Sequence, residues 1–339
     1  MTHTIPDTDT PTGILRLGNA FCDAKALMTA VELDLFTGLD ASGPATAEEI
    51  RTRLGLHGRG LTDWLDLLVA LGLLMRDGDR YANAPGAGRH LVRGADAYIG
   101  GFIQRTSRNL YPAWGRLAEA LRTGEQQSGS SFDAVVDDPA ILGQFIRSMD
   151  ALTQVLGPQF IAAYPDWSEH RSVLDVGGCR GGLAAQIVQA HPHLDGAVFD
   201  LPQMSPFFDE LAAEKGLTGK LTFHGGSFFT DPLPSADAVV MGHVLHDWDP
   251  GQRRFLVERA YESVNPGGVL LVYDRMLDRA SSRVENLVIS LDMLLVTDGG
   301  SEYPVGELRD NALKAGFASV EEQPLGEFDT LVVCRRSAE

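Results

Sequence analysis

Basic residues are scarce in this chain of 339 residues: 28 Lys and Arg stand against 46 Asp and Glu, a formal net charge of −18 at pH 7. That surplus repels the nucleic-acid backbone and anionic membrane surfaces and leaves a neutral or cationic small molecule unpenalised. The expected partner is therefore a small-molecule acceptor, with no nucleic acid and no membrane. Cysteine is scarce too. Cys22, Cys179 and Cys334 lie far apart and without metal-ligand spacing, which excludes a disulfide framework or structural zinc and fits reduced thiols. No apolar run approaches the length that spans a bilayer, and the opening MTHTIPDTDTPTG lacks the basic and apolar regions of a signal peptide, so a cytoplasmic protein is expected. With 44% hydrophobic residues, what is there suffices for a sizeable core, in two domains or one with a large extension.

The chain divides near residue 165. Before it the pattern is helical: LTDWLDLLVALGLLM (61–75) repeats Leu61, Leu65, Leu68 and Leu71 at helical spacing, with Trp64 and Leu67 alongside. TAEEIRTRLGL (46–56), that helix and MRDGDRYANAP (75–85) follow the helix, helix, β-wing order of a winged helix. Residues 61–75 offer Asp63 and Asp66 but no basic side chain toward base edges, so the module is expected to pack rather than to read DNA. Beyond Ser172 the strands SVLDVGG (172–178), GAVFDLP (196–202), LTFHGGS (221–227), ADAVVMGHVL (236–245), GVLLVYDRML (268–277) and TLVVCRR (330–336) alternate with helices. Val and Leu fill both faces of these strands, which predicts an α/β fold with a doubly wound, mostly parallel sheet binding its ligand at the carboxyl ends of the strands. GEQQSGSS (124–131) reads as a mobile loop.

VLDVGGCRGG (173–182) is the turn that should hold the ligand. A P-loop needs Gly-Lys-Ser or Gly-Lys-Thr, where Arg180 to Leu183 offer RGGL. A dinucleotide fingerprint needs glycine where Cys179 stands, because the backbone there approaches a pyrophosphate. S-adenosylmethionine has no phosphate, so a cysteine is tolerable. Asp200, ending the second strand, can accept both ribose hydroxyls, a geometry shared by NAD and S-adenosylmethionine sites. Taken alone, the turn also fits a purely structural role.

GHVLHDWD (242–249), with Asp175, Gly177, Gly178, FDLP (199–202), GGSFF (225–229), NPGG (265–268) and DGGSE (298–302), resembles the class I S-adenosylmethionine-dependent O-methyltransferases over nearly the whole chain. The closer likeness is to the plant caffeate-type, hydroxyindole and bacterial antibiotic-tailoring enzymes. The resemblance implies a Rossmann-like sheet of seven strands and three regions: an all-helical winged-helix dimerisation domain (1–110), linking helices that contribute to the acceptor pocket (111–165), and a catalytic domain that binds S-adenosyl-L-methionine (166–339). It implies a homodimer whose N-terminal helices roof the partner's pocket, and methyl transfer to a hydroxyl, phenolic in type, of a small aromatic or polyketide-type metabolite. C- or N-methylation, or a non-methylating reaction on the same fold, is the alternative; a winged-helix ligand sensor is the rival from another class. Carried over by position, Gly177 and Gly178 meet the methionine tail, Asp200 the ribose and Leu201 the adenine. Ser227, beside Phe228, stands where an acid commonly accepts the adenine amine, and Gly242 where plant members often have Lys. FIRSMDALT (145–153) puts Thr153 near the cofactor and Met149 in the acceptor pocket, with Asp247 and Met293 as further acceptor residues.

Methyl transfer from a sulfonium is an in-line displacement with an excellent leaving group, so the enzyme mainly aligns the nucleophile and removes its proton. A histidine suits that task. The resemblance gives His246 the base role, with Asp274 and Glu302 as the acids that flank and orient it; Asp274 is one methylene shorter than the family's frequent Glu. His243 and His246 invite a metal reading, but no third ligand stands at coordinating spacing and none is expected. Asp247 and Trp248 read as a helix-start acid and a packing anchor, His191 and His193 as exposed loop residues and Cys179 as inert, while Tyr303 and Pro304, in place of a common Arg-Thr, reshape a wall of the acceptor site.

Overall fold

The computed structural model describes residues 8–95, 97–128, 132–278 and 283–339. Positions 1–7 and the end of the expected loop, 129–131, lie outside the described residues. The chain forms two compact units that divide after Arg108. No helix among the described residues is long and apolar enough to cross a membrane.

In the first unit, the helix Ala47–Leu54 starts from a capping box: Thr46 Oγ1 accepts from the Glu49 N–H at 3.3 Å, and Glu49 accepts from the Thr46 N–H at 2.7 Å. The next helix, Leu61–Ala70, is shorter than its apolar run suggests. Gly72, at φ +73°, turns the chain, and Leu74 becomes the buried end of a strand instead of a further helical turn. Three short strands, β1 (Ala45–Thr46), β2 (Leu74–Asp77) and β3 (Arg80–Asn83), pair antiparallel in the order β1-β3-β2. Asp66 accepts from the Tyr81 hydroxyl and pairs with Arg76, each at 2.8 Å. This acid therefore ties the strands to the helix. Leu61, Leu65 and Leu68 are buried against Ala30, Phe36 and Leu39.

The second unit carries a long helix, Pro139–Ala163, and a seven-stranded sheet: β4 (Ser172–Val176), β5 (Asp195–Asp200), β6 (Leu221–Gly225), β7 (Ala236–Gly242), β8 (Val264–Asp274), β9 (Ser319–Leu325) and β10 (Asp329–Arg335), in the order β6-β5-β4-β7-β8-β10-β9. Only β10 runs against its neighbours. Alternate residues of each central strand enter different cores. Val173, Val198, Ala238, Val240 and Leu271 face one side with the helix Gly182–Ala190; Leu174, Phe199, Val239, Met241 and Val272 face the other with the helix Pro250–Ser263. Both faces being covered explains why these strands read as continuous apolar runs. β9 escaped that reading because it is an edge strand: SVEEQPL exposes Glu321 and Glu322 and buries only Leu325. The chain leaves β4 toward β5 and β6, then returns to β7 on the opposite side, so a crevice opens beyond the carboxyl ends of β4 and β7.

Among the described residues of the first unit, the large apolar side chains Ile14, Leu15, Leu17 and Phe21 stand exposed, at 58%, 66%, 53% and 55%. Side chains of this size left in water favour association. Light scattering at micromolar concentration is expected to give twice the chain mass, and Leu15→Asp with Phe21→Asp is expected to give the monomer; a monomeric parent chain is the contrary result.

Candidate active site

The turn after β4 is pressed against the loop after β7. Gly177, at φ +72°, donates its N–H to the Phe199 carbonyl at 2.8 Å, and a Cβ on it would stand 2.6 Å from Val244 Cγ2. Cys179 has φ +55°, in the left-handed region that favours glycine. The backbone thus keeps the glycine geometry without the glycine, at a cost of about 1 kcal/mol. A hydrogen bond holds it there: the Cys179 N–H donates to Asp200 Oδ2 at 2.7 Å, while the Leu201 N–H donates to Oδ1 at 2.7 Å. Burial pushes the Asp200 carboxyl up to about 6, against the pull of those two donors, so it is ionised at neutral pH. Beneath it, burial first and the Asp200 charge second push Asp175 up to about 7, and its Oδ2 is buried without a hydrogen-bond partner. Burial also raises the Cys179 thiol well above its ordinary value, which keeps it protonated.

Ser227 spends part of its acceptor capacity locally, since its Oγ accepts from the Phe229 N–H at 3.3 Å while its own N–H donates to Asp231 at 2.9 Å. Phe228 and Phe229 meet Trp248 edge-on, with ring centroids 5.7 and 4.6 Å away. Thr153 returns its hydroxyl to the Met149 carbonyl at 3.0 Å, and its methyl lies 3.5 Å from where a Cβ on Gly182 would be. The ion pair of Arg180 with Asp150, at 2.6 Å, ties the same helix to the turn. Met149 is half-buried, and Met293 is buried on the helix Val284–Val296, which packs against the segment Leu245–Asp247.

Gly242 has no room for a side chain. Its register partner on β8 is Tyr273, whose ring atoms would lie 2.0–2.3 Å from a Cβ there. An aromatic ring from the neighbouring strand thus fills the space that a side chain at position 242 would need. His243 follows at φ +53°, with Nε2 3.1 Å from Asp329 and its ring edge-on to Tyr273.

His246 is buried, and its Nδ1 lies 2.7 Å from Glu302 Oε1. Asp274 stops at 3.7 Å from the same nitrogen, beyond hydrogen-bond distance, so among the described residues Glu302 makes the side-chain hydrogen bond to it. The glycine pair makes this possible. A Cβ on Gly300 would meet the carbonyls of His246 and Asp247 at 2.7 Å, and the Ser301 N–H donates to the His246 carbonyl at 2.9 Å, so the 298–302 turn lies flat on the histidine's own backbone. Burial opposes a charged ring, but Asp274 and Glu302 outweigh it and push His246 up to about 10. The remaining nitrogen, Nε2, is 3.7 Å from Asp247.

Several sequence expectations change. The acid that starts the helix Pro250–Ser263 is Asp249, in a capping box with Gln252, and not Asp247. A third ligand absent from the local spacing does come into reach, because ligand atoms of His243, His246 and Asp274 all lie within 4.8 Å of one another; an ion there would displace the proton shared by His246 and Glu302. Tyr303 is 1% exposed and donates to Asp274, so it stands behind the site instead of walling it. His191 is half-buried and stacks on Trp167 at 5.7 Å, whereas His193 is exposed in the loop, as expected, and bonds the Trp167 carbonyl at 3.0 Å. Tyr273, Asp329 and Asp231 were not singled out as site residues; each meets its partner more than two residues away, and no local motif marks them.

Residues 114–318 match a family model described as an O-methyltransferase domain, and residues 15–93 one described as an O-methyltransferase dimerisation domain. The tetracenomycin polyketide synthesis 8-O-methyl transferase TcmO of Streptomyces glaucescens is 46% identical over 96% of this chain and 97% of its own. The N,N-dimethyltransferase OxyT of Streptomyces rimosus is 45% identical over 90% of each. Among solved structures, human N-acetylserotonin methyltransferase in complex with SAM superposes with a TM-score of 0.89 at 27% identity, covering 98% of this chain and 99% of that one.

Asp175 supplies a test of the site's energetics. A carboxyl raised in the folded state from 3.8 to about 7 weakens folding as pH climbs through that window, because the folded form resists ionisation while the unfolded form does not. Asp175→Asn is expected to raise the melting temperature at pH 8 and to do little near pH 4, a gain of up to roughly 4 kcal/mol. Melting curves across that range that show no pH-dependent gain would contradict the assignment.

Proposed function

Because the chain belongs to the S-adenosylmethionine-dependent O-methyltransferase family, with that family's catalytic and dimerisation domains both present, we propose that it methylates a phenolic hydroxyl of a small aromatic or polyketide-type metabolite, with His246 as the base that takes the hydroxyl proton. The observation that carries this reading is the 2.7 Å bond between His246 Nδ1 and Glu302. A carboxylate on one ring nitrogen fixes the tautomer of the neutral ring, so that its lone pair is on Nε2 once the ring has given up its proton, and favours the imidazolium that forms when that lone pair takes a proton. Asp274 adds a second negative charge at 3.7 Å. In this reading residues 1–110 pair two copies, residues 111–165 wall the acceptor with Met149, and residues 166–339 hold the cofactor and the chemistry. Asp247 and Met293 complete the acceptor side around Nε2.

S-adenosyl-L-methionine, when bound, supplies a methyl on a positively charged sulfur with an excellent leaving group. The residues present fit it. A Cβ would fill the cradle at Gly177, and each Asp200 oxygen accepts one backbone N–H and so keeps acceptor capacity for a ribose hydroxyl. Gly178, Leu201, Ser227, Phe228, Gly242 and Thr153 complete this side. The turn's backbone bonds hold Asp200 in place before any ligand arrives, so little ordering cost falls on binding.

The 45% identity to an N,N-dimethyltransferase makes an amine acceptor the second reading. Methyl-labelled cofactor with parallel panels of phenols, hydroxyquinones and amines, followed by location of the label, separates oxygen, nitrogen and carbon transfer.

Two substitutions test the assignments. Asp200→Ala is expected to weaken S-adenosylmethionine and its demethylated product alike by roughly 1.5–3 kcal/mol through lost charge-assisted hydrogen bonds; unchanged calorimetric affinity would remove Asp200 from the site. His246→Ala is expected to lower turnover about a hundredfold or more with cofactor affinity preserved. Only the neutral ring accepts a proton, so the parent's rate should rise with pH as His246 gives its proton up, and the variant's deficit should shrink as pH nears the acceptor's own pKa. Normal turnover of His246→Ala at neutral pH would overturn the base role.

A further inference from the structure

Asp274 is fully buried, and its two oxygens have unlike surroundings. Oδ2 accepts the Tyr303 hydroxyl. Oδ1 has no hydrogen-bond partner and faces Nδ1 of His246 at 3.7 Å and Nδ1 of His243 at 3.9 Å. Both gaps are too wide for a hydrogen bond, so this carboxylate reaches His246 through its charge alone. A buried carboxylate persists as an anion where opposite charge or hydrogen-bond donors hold it, and for Asp274 the His246 charge does so first and the Tyr303 hydroxyl adds to it. Among the described residues, Tyr303 provides the side-chain hydrogen bond that Asp274 accepts.

Tyr303 is itself held. Its ring is 1% exposed, the Arg253 guanidinium lies 4.8 Å above the ring, and Arg253 is fixed by Glu307 at 2.8 Å and by the Trp248 carbonyl at 2.6 Å. The Tyr303 carbonyl accepts from the Leu277 N–H at 3.0 Å, which ties its backbone to the chain just beyond β8. A cation over a phenol ring draws electron density from it and makes its O–H the stronger donor. The groups around the pair are His243, His246 and Asp247 from the segment after β7, Tyr273 and Arg275 from β8 and its end, Glu302 from the 298–302 turn, and Asp329 from β10. His243 and Arg275 both lie near Asp329, at 3.1 and 3.5 Å, so the Arg275 charge is directed toward β10 and away from Asp274.

We infer that Tyr303 is a positioning residue of this site: its hydroxyl fixes Asp274 from behind, as an anion, so that the carboxylate acts on His246 by charge across a gap while Glu302 makes the direct bond. The inference deepens the proposed base role of His246 and rests on that reading for its kinetic consequence. Its structural content stands apart from it. Without the hydroxyl, Oδ2 is bare, the carboxyl takes up a proton more readily, and His246 loses one of the negative neighbours that favour its charged form.

Histidine-ring-labelled protein titrated by NMR tests this without substrate, in the parent chain, Tyr303→Phe, Asp274→Asn and the double variant. Tyr303→Phe is expected to lower the His246 midpoint, on the order of tenfold in proton affinity, in the same direction as Asp274→Asn, and to add nothing once Asp274→Asn is present. An unchanged or raised midpoint in Tyr303→Phe, or an equal fall in the Asp274→Asn background, overturns the inference. 3-Fluorotyrosine at position 303 keeps the ring and strengthens the donor, so it must raise the midpoint; it tests the same contact should Tyr303→Phe not fold, and a fall there overturns the inference too. In kinetics, the acid limb of the kcat/KM profile should move to lower pH in Tyr303→Phe. A shifted NMR midpoint with an unmoved acid limb would refute the base role of His246 and leave the Tyr303 contact standing.

Discussion

The contact between His246 Nδ1 and Glu302 Oε1 is the one on which the arrangement of the site depends, and it is made across 56 residues of chain. Neither residue reaches the other by local structure. His246 stands in a short 3-10 turn beyond β7, and Glu302 follows a glycine pair after the helix Val284–Val296. What joins them is backbone fit: the Gly300 turn lies on the His246 and Asp247 carbonyls, Ser301 donates to His246, and the Glu302 N–H donates to the Ser290 hydroxyl at 3.2 Å. The imidazole is therefore aimed by a loop seated on its own main chain, which fixes tautomer and direction together.

Surrounding that ring with acids costs stability. Asp175, Asp200 and Asp274 are all at or near the carboxyl ends of central strands, where burial penalises ionisation. Hydrophobic cores on both faces of the sheet supply the surplus that tolerates this. The αL backbone at Cys179 and His243 belongs to the same pattern, strain concentrated where two loops meet at the switch point.

Much of this was legible in the residues. Strands covered on both faces announce themselves as Val and Leu runs, and the acid-glycine turn after the first of them marks the ligand crevice. The edge strand β9 was not legible, because half of its side chains face water and its pattern thins to Val320 and Leu325. The end of the helix at Ala70 was blurred by apolar residues that continue into β2. At the site, Gly177, Asp200 and His246 sit in local motifs, so resemblance could carry them position by position. Tyr273 over Gly242 and Tyr303 behind Asp274 are pairings across 31 and 29 residues; strand register reveals the first, and only the three-dimensional packing of the turn after the helix Val284–Val296 reveals the second.

The packing of Tyr273 against Gly242 also governs how the chain can change. No residue larger than glycine enters position 242 while an aromatic ring fills position 273, since ring atoms would stand 2.0–2.3 Å from the first side-chain carbon. A variant with a side chain at position 242 must also surrender the ring at position 273, and loss of that ring by itself leaves a hole beside Phe160, whose ring lies 5.1 Å from that of Tyr273. The two positions are thus coupled through space, and a change at either one without the other costs packing.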